Sequence, residues 1–357
     1  MQTRPARTFT ALAAISIGST IALVSTSCSL TAEDDKSDRA TGECGEVVLV
    51  THDSFDLPKK LVTAFEKETG CELTHSPAGD GGELTSKLVV TEGDPIGDVA
   101  FGVDNTFAGV ALDEGVFAPY RPSLPSGADR YLLSGDDDGV LTPIDNASVC
   151  VNVDVAWFDE HGVTPPTSLD DLTDATYRDL LVTESATTSS TGLAFLLATI
   201  GEYGDDWASY WQDLLDNGAK IDKGWEDAYY VDFSFSGGDR PIVVSYDTSP
   251  AYTVKGGKTS TSALLDTCFR QVEYAGVLEG AANPVGAEQV VDWLLSPEVQ
   301  AALPTSMYVF PVDDSAPLPK DWASFATSPS SPIQVDPADI AEHRREWLTQ
   351  WTDLISE

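Results

Sequence analysis

The chain has 357 residues, with 58 Asp+Glu against 20 Lys+Arg and a formal charge of −38. That balance argues against nucleic acid as a partner, because phosphate binding needs a basic footprint; a cation is a better matched guest, although on charge alone the acidic excess is read first as keeping the protein soluble. At 42% hydrophobic residues, a chain of this length fills two cores rather than one.

The N-terminus reads as an export signal. Arg4 and Arg7 precede an apolar stretch over 9–24, and the leader ends on "STSC" at Cys28. "VSTSC" resembles a bacterial lipobox, with Ser25 where such sequences usually carry Leu. Cys28 is therefore expected to carry lipid and hold the protein at the outer face of the membrane, a secreted or periplasmic soluble form being the alternative. Nothing later reaches the roughly 18 uninterrupted apolar residues of a spanning helix. Residues 29–42, "SLTAEDDKSDRATG", have almost no large apolar side chain and read as a flexible tether.

The folded body begins near Cys44. "VVLV" at 47–50 has the form of a buried strand, 57–70 places Leu61, Val62 and Phe65 on one helical face with Gly70 as a stop, and "ELTHSP" follows as a second strand. This is a β-α-β unit. The glycine-rich "AGDGGEL", a helix through 84–90 and a third strand over 98–105 extend it into an α/β lobe with a mainly parallel sheet. Its crevice lies at the carboxyl ends of the strands, where Asp53, Ser54, Asp104 and Asn105 fall.

A further strand is expected over 148–154. "TPPTSLDDLTD" then reads as a turn into a helix, and "YRDLLVTES" ends in a strand. "SATTSSTGLAFLLATIGEYG" (185–204) sets hydroxyls and a glycine before an apolar helix, which makes either an anion or polar-group site or a plain helix cap. "CFRQVEYAGVL" (268–278) reads as a strand returning to the first lobe, so the strands bearing Cys150 and Cys268 would be the crossovers. The tail is an amphipathic helix with Asp336 as cap, Pro337 in the first turn, and a stripe of Ile340, Trp347, Leu348, Trp351 and Ile355.

Past Cys28 the chain has Cys44, Cys71, Cys150 and Cys268. An even count in an exported chain suggests disulfides, and four cysteines allow three pairings. If the first two strands are parallel neighbours, Cys44 and Cys71 sit at the same end of the sheet, which favours Cys44–Cys71 and leaves Cys150–Cys268. No CxxC spacing supports a metal site.

Enzymatic signatures are missing. The chain has four histidines (His52, His75, His161, His343) and no HExxH, GxSxG or GxxxxGK[ST]. Carboxylates are so numerous that no pair of them stands out. Neither a catalytic role nor a cofactor is expected.

Four loops carry aromatics or carboxylates beside small polar residues: "THDSF" (51–55), "KGWEDAYY" (223–230), "SYDTSPAY" (245–252) and "PTSMYVFPV" (304–312). Together they suit a pocket for a flat, positively charged heterocycle, stacked between rings and met by a carboxylate. Tyrosines at strand ends also serve merely to cover a core edge.

These stretches, with "FGVDN", "SSTGLAFLL", "QVE" and the closing "HRREWLTQW", resemble the thiamine-binding proteins that serve ABC importers. The resemblance runs from about Val47 to the C-terminus. It implies a two-lobed fold of the periplasmic-binding-protein type (type II), with two α/β lobes joined by crossover strands and a ligand cleft between them. It also implies a monomer that delivers thiamine, or its phosphates, to a membrane permease. Trp225, Tyr246, Tyr252 and Tyr308 match positions whose rings line the thiamine site, with Tyr308 standing where the family usually has Trp. Asp53 matches a carboxylate of that site, with Ser54 beside it, and Ser249 belongs to the loop of Tyr246 and Tyr252. Ser189 matches a hydroxyl at the hydroxyethyl or phosphate end of the ligand. His52 stands where the family often has Tyr, a tryptophan expected soon after it is absent, and Asn146 replaces another tyrosine.

On this reading the chain divides into a leader (1–27), a tether (28–43), a first part of the N-lobe (44–145), a C-lobe (146–267), a return to the N-lobe (268–318) and a C-terminal helical segment (319–357). Two rival readings keep a related fold. One is ferric-iron capture by the adjacent Tyr229 and Tyr230, and the other is an enzyme of thiamine breakdown with a cysteine nucleophile.

Overall fold

The computed structural model describes residues 44–356. The leader, Cys28 and the tether lie outside the described residues. Strand β1 (Gly45–Thr51), helix Lys59–Thr69 and strand β2 (Cys71–Pro77) form the expected parallel β-α-β unit. The helix stops at Gly70, whose left-handed φ of 74° lets its N–H reach Glu66 O. Register sets Gly45 opposite Cys71, and the Cys44–Cys71 disulfide closes with Cα atoms 4.5 Å apart. Helix Gly81–Val90, capped by Asp80, leads to β3 (Val99–Asp104), which is buried throughout and pairs with β1 in parallel.

Strand β4 spans Thr142–Asp154, starting six residues before the expected 148. Every residue of it is buried, polar Thr142, Asp145, Asn146 and Ser148 included. Strands β5 (Leu181–Glu184), β6 (Lys220–Asp222), β7 (Ile242–Tyr246), β8 (Thr261–Ala263), β9 (Phe269–Val277) and β10 (Phe310–Pro311) complete one sheet in the order β2-β1-β3-β9-β4-β7-β5-β6, with β8 and β10 paired to β4. Strand β9 runs antiparallel to both β3 and β4, and β4 runs antiparallel to β7. These two long strands carry the chain between the parallel half β2-β1-β3 and the parallel half β7-β5-β6, and the Cys150–Cys268 disulfide ties them together.

The turn at 164–174 does not become the expected helix. Only two short 3-10 turns form, over Asp170–Thr173 and Ala175–Tyr177. Asp171 Oδ2 accepts from the N–H groups of Thr167 and Ser168, and Asp174 Oδ1 accepts from Thr176 N–H, so local side-chain bonds replace the helical ladder.

Each half has its own core. In the first, Val47, Leu49, Val99 and Phe101 pack with Phe65 and with Val290, Val291 and Leu294 of helix Pro284–Leu294. In the second, helix Ser190–Tyr203 is apolar nearly all round and fills the space beside β7 and helix Trp207–Asp216. The closing helix Pro337–Ile355 packs on this second core, with Trp351 fully buried and edge-on to Trp211 at 5.5 Å. Trp351→Ala is expected to cost about 3–5 kcal/mol of folding stability, read as a lower denaturant midpoint with an unchanged slope. Among the described residues, no helix is long and apolar enough to cross a membrane.

Candidate ligand-binding cleft

The four aromatic-bearing loops meet in one cavity of about 520 Å³ between the halves of the sheet. Asp53, Ser54, Trp225, Tyr246, Ser249, Tyr252 and Tyr308 all line it. Strand ends explain the convergence: β1 delivers residues 52–55, β7 delivers Tyr246 and the loop after it, and the chain beyond β6 turns into the cavity at Lys223 before a π-helical turn over Asp227–Asp232.

Trp225 is the centre of an aromatic cluster. Its ring stacks on Tyr229 (4.9 Å, 19° between planes), meets Tyr230 edge-on at 5.2 Å and lies 6.1 Å from Tyr246. Hydrogen bonds fix its orientation. Nε1–H donates to Ser245 Oγ at 2.9 Å, and the Ser245 and Ser249 hydroxyls share a hydrogen bond of 2.8 Å. Ser249 Oγ also accepts from Tyr246 N–H at 3.1 Å. The hydroxyls of "SYDTSPAY" thus hold the rings in place.

Across the cleft, Tyr308 meets Tyr252 edge-on at 4.9 Å. Tyr308 adopts φ 56°, a conformation a bulky residue takes only where its surroundings impose it. Trp322 stands behind it, buried, with ring planes 21° apart and centroids 6.4 Å apart, so an indole backs this wall from a different segment.

Carboxylates dominate the lining. Asp53, Asp56, Asp80, Glu83, Glu226, Asp227 and Glu273 face it against a single lysine, Lys223, which is paired with Glu83 at 2.8 Å. Asp53 is pinned at the rim, where its Oδ1 accepts from Gly79 N–H at 2.9 Å. Glu273 rises from β9 at the floor, where burial and then the neighbouring Asp145 push its carboxyl well above the usual range, and His52, 3.5 Å away, acts in the opposite sense. Burial pushes Asp145 up to about 7. Gly102, at φ 103°, makes room for His52, because a Cβ there would lie 2.2 Å from the imidazole Cδ2.

Asp80 joins the two sides of the cleft. Its Oδ1 accepts from Gly81 N–H at 2.6 Å and from Ser190 N–H at 3.2 Å, and its Oδ2 accepts from Trp225 N–H at 2.9 Å. Glu83 N–H donates to Thr188 O at 3.1 Å beside it. Gly82 allows this approach, since a Cβ there would sit 2.7 Å from the Thr188 carbonyl carbon. In the sequence the one signal for Asp80 is the pair of glycines that flank it, Gly79 and Gly81.

The structure places three of the expected residues away from the cleft lining. Ser189 is fully buried and is not among the cleft residues. Its Oγ accepts from Gly192 N–H at 3.4 Å and pairs with Thr191 Oγ1 at 2.9 Å, which is helix capping, and the hydroxyl residue that lines the cleft is Ser190. Asp104, at the end of β3, is buried with Oδ1 bonded to Thr106. Asn105 turns to β9, donating to Arg270 O and accepting from Val272 N–H, away from the cleft lining.

Two α/β halves joined by long crossover strands, with an aromatic and acidic cleft between them, define a two-lobed binding protein of the periplasmic type. Residues 60–329 match the family described as bacterial extracellular solute-binding protein, and the chain belongs to that family. It is 29% identical over 319 residues to the thiamine-binding periplasmic protein of Escherichia coli (strain K12), covering 87% of this chain and 93% of that one. A solved structure of a periplasmic thiamin binding protein superposes with a TM-score of 0.77 at 27% identity, covering 87% of this chain and 96% of the other. A ferric binding protein from Campylobacter jejuni shares the fold at a TM-score of 0.67 and 18% identity, covering 86% and 99% of the two chains.

Proposed function

We propose that the protein captures thiamine outside the cytoplasm and delivers it to the permease of an ABC importer. The observation that carries this is the convergence of Trp225, Tyr246, Tyr252 and Tyr308 on one acidic cleft. Flat faces suit the aromatic rings of the ligand, and a positive thiazolium is drawn to both π faces and carboxylates. The names of the relatives above point the same way.

The mechanism needs no chemical step. Each half moves as a body about β4 and β9, and ligand contacts from both halves favour the closed form. Asp80 then acts as a latch, because one carboxylate draws backbone N–H groups of the far side onto the ligand wall. Asp80→Ala is expected to weaken thiamine binding about tenfold or more, mainly through faster release. Glu83→Gln, which breaks the ion pair with the exposed Lys223 and neutralises one cleft carboxylate, changes affinity less than about fivefold. Stopped-flow tryptophan fluorescence separates the two.

Held through a lipid on Cys28, a monomer of this kind stays close to its permease, while the acidic surface speeds encounter with a cation and loses that effect in salt. The rivals are less well served. Tyr229 is buried and stacked under Trp225, and burial pushes its phenol upward, away from the phenolate that iron(III) requires. The four described cysteines are joined in two disulfides, so a degrading enzyme would have to find its nucleophile elsewhere. Fluorescence titration with thiamine and with ferric citrate tests the choice. Quenching by thiamine alone supports capture of the vitamin, and a coloured protein that responds only to ferric citrate rejects it.

A further inference from the structure

Strand β9 has two sides, and the cleft uses only one. Glu273 lines the cleft, and Gln271 reaches its wall through Tyr246 Oη at 3.4 Å. The intervening Arg270, Val272 and Tyr274 line a second cavity of about 1220 Å³ on the other side. Its walls come from both halves of the molecule: Val110 and Leu133 on one side, Val335 and Leu348 of the C-terminal segment on the other.

In a chain with 20 Lys+Arg among 357 residues, four arginines gather at this groove, namely Arg130, Arg270, Arg344 and Arg345. Arg130 is committed to Asp314. Arg270 donates one N–H to Asn146 Oδ1 at 2.9 Å. Arg344 lies over the Phe107 ring at 4.5 Å, and its buried Nε–H finds no acceptor among the described residues. Burial pulls Arg344 down to about 10 against the pull of Asp104, whose Oδ1 bonds Thr106 and whose buried Oδ2 finds no hydrogen-bond partner among the described residues. The carboxylates that line the groove, Asp113 and Asp353, are exposed. A largely buried guanidinium among aliphatic walls, with an unpaired Nε–H and Asp104 as the acid that acts on it, keeps donor capacity in hand.

We propose that this groove is a second ligand site, separate from the cleft, that takes an amphipathic organic anion with its carboxylate on Arg344 and Arg270 and its apolar body along Val110, Leu133, Val335 and Leu348. A bidentate carboxylate would use the outer Nη donors of the guanidinium, the Nε–H being buried. The inference does not depend on the identity of the cleft ligand.

Calorimetric titration of the full chain with sodium decanoate tests it, alongside decanol and acetate, which each lack half of the ligand's chemistry. The expected result is saturable binding of one decanoate at concentrations below about 5 mM, retained in the presence of saturating thiamine, with decanol and acetate at least about tenfold weaker. Arg344→Gln and Val110→Trp, one removing the charge and the other filling the groove from the opposite wall, should each weaken decanoate about tenfold or more. Thermal melts identify the variants that remain folded. No saturable binding, equal binding of decanol, displacement by thiamine, or unchanged affinity in either folded variant would overturn the proposal.

Discussion

Trp225→Ala is expected to weaken thiamine binding by about 30- to 1,000-fold, the loss of a partly buried aromatic anchor worth about 2–4 kcal/mol. The indole does three things at once. It stacks on Tyr229, it lies against Tyr246, and its N–H orders the Ser245–Ser249 pair that holds the opposing loop. Removing it therefore takes away a π face and loosens the mount of a second one. Tyr252→Ala is the comparison, since that ring is 39% exposed at the mouth and touches the far wall edge-on. Its loss should cost less than about tenfold. Calorimetric titration of both variants against the parent measures the difference, and circular dichroism melting confirms that each remains folded.

The Cys150→Ser/Cys268→Ser double variant should lose about 2–5 kcal/mol of folding stability. The bond closes a loop of 118 residues, and Cys44–Cys71 closes one of 27. By the loop-closure relation these correspond to about 5 and about 3.5 kcal/mol, so removal of the longer link should be the more damaging. Position adds to this. Cys150 lies within β4 and Cys268 immediately before β9, the strands that carry the chain between the two halves. Denaturant unfolding of the two double variants side by side gives the ranking, and a larger loss from the Cys44–Cys71 pair would contradict it.

Local chemistry made much of this fold legible. The run 47–50, the amphipathic helix after it and Gly70 identify a β-α-β unit, and from that unit the two disulfide pairings follow. The aromatic loops were legible only as a set: one such loop at a strand end can simply cover a core edge, whereas four of them suggest a shared pocket. What could not be read depends on contacts distant in sequence. Strand β4 begins with polar residues that look like a loop until β9 and β10 pair with their backbone. Asp80 looks like one helix cap among many, because its second and third partners lie 110 and 145 residues away. Trp322 backs Tyr308 from a segment with no aromatic pattern of its own.

Ser189 and Ser190 illustrate a finer limit. A one-residue step along a helix start turns the side chain by about 100°, and only the packed helix decides which serine caps the backbone and which one borders the cleft. The acidic floor is marked in the sequence only by the short stretch "QVE" (271–273). With 58 carboxylates in the chain, composition could not select Glu273, whereas the position of β9 beneath the rings does.

The central claim is that rings from separate loops and an acidic floor together hold one planar organic cation. Calorimetric titration of the protein with thiamine tests it most directly. The account predicts saturable binding of one thiamine with Kd below about 1 μM, an interaction of about −8 kcal/mol or stronger. An absence of measurable heat and of any saturable signal up to millimolar thiamine would contradict it.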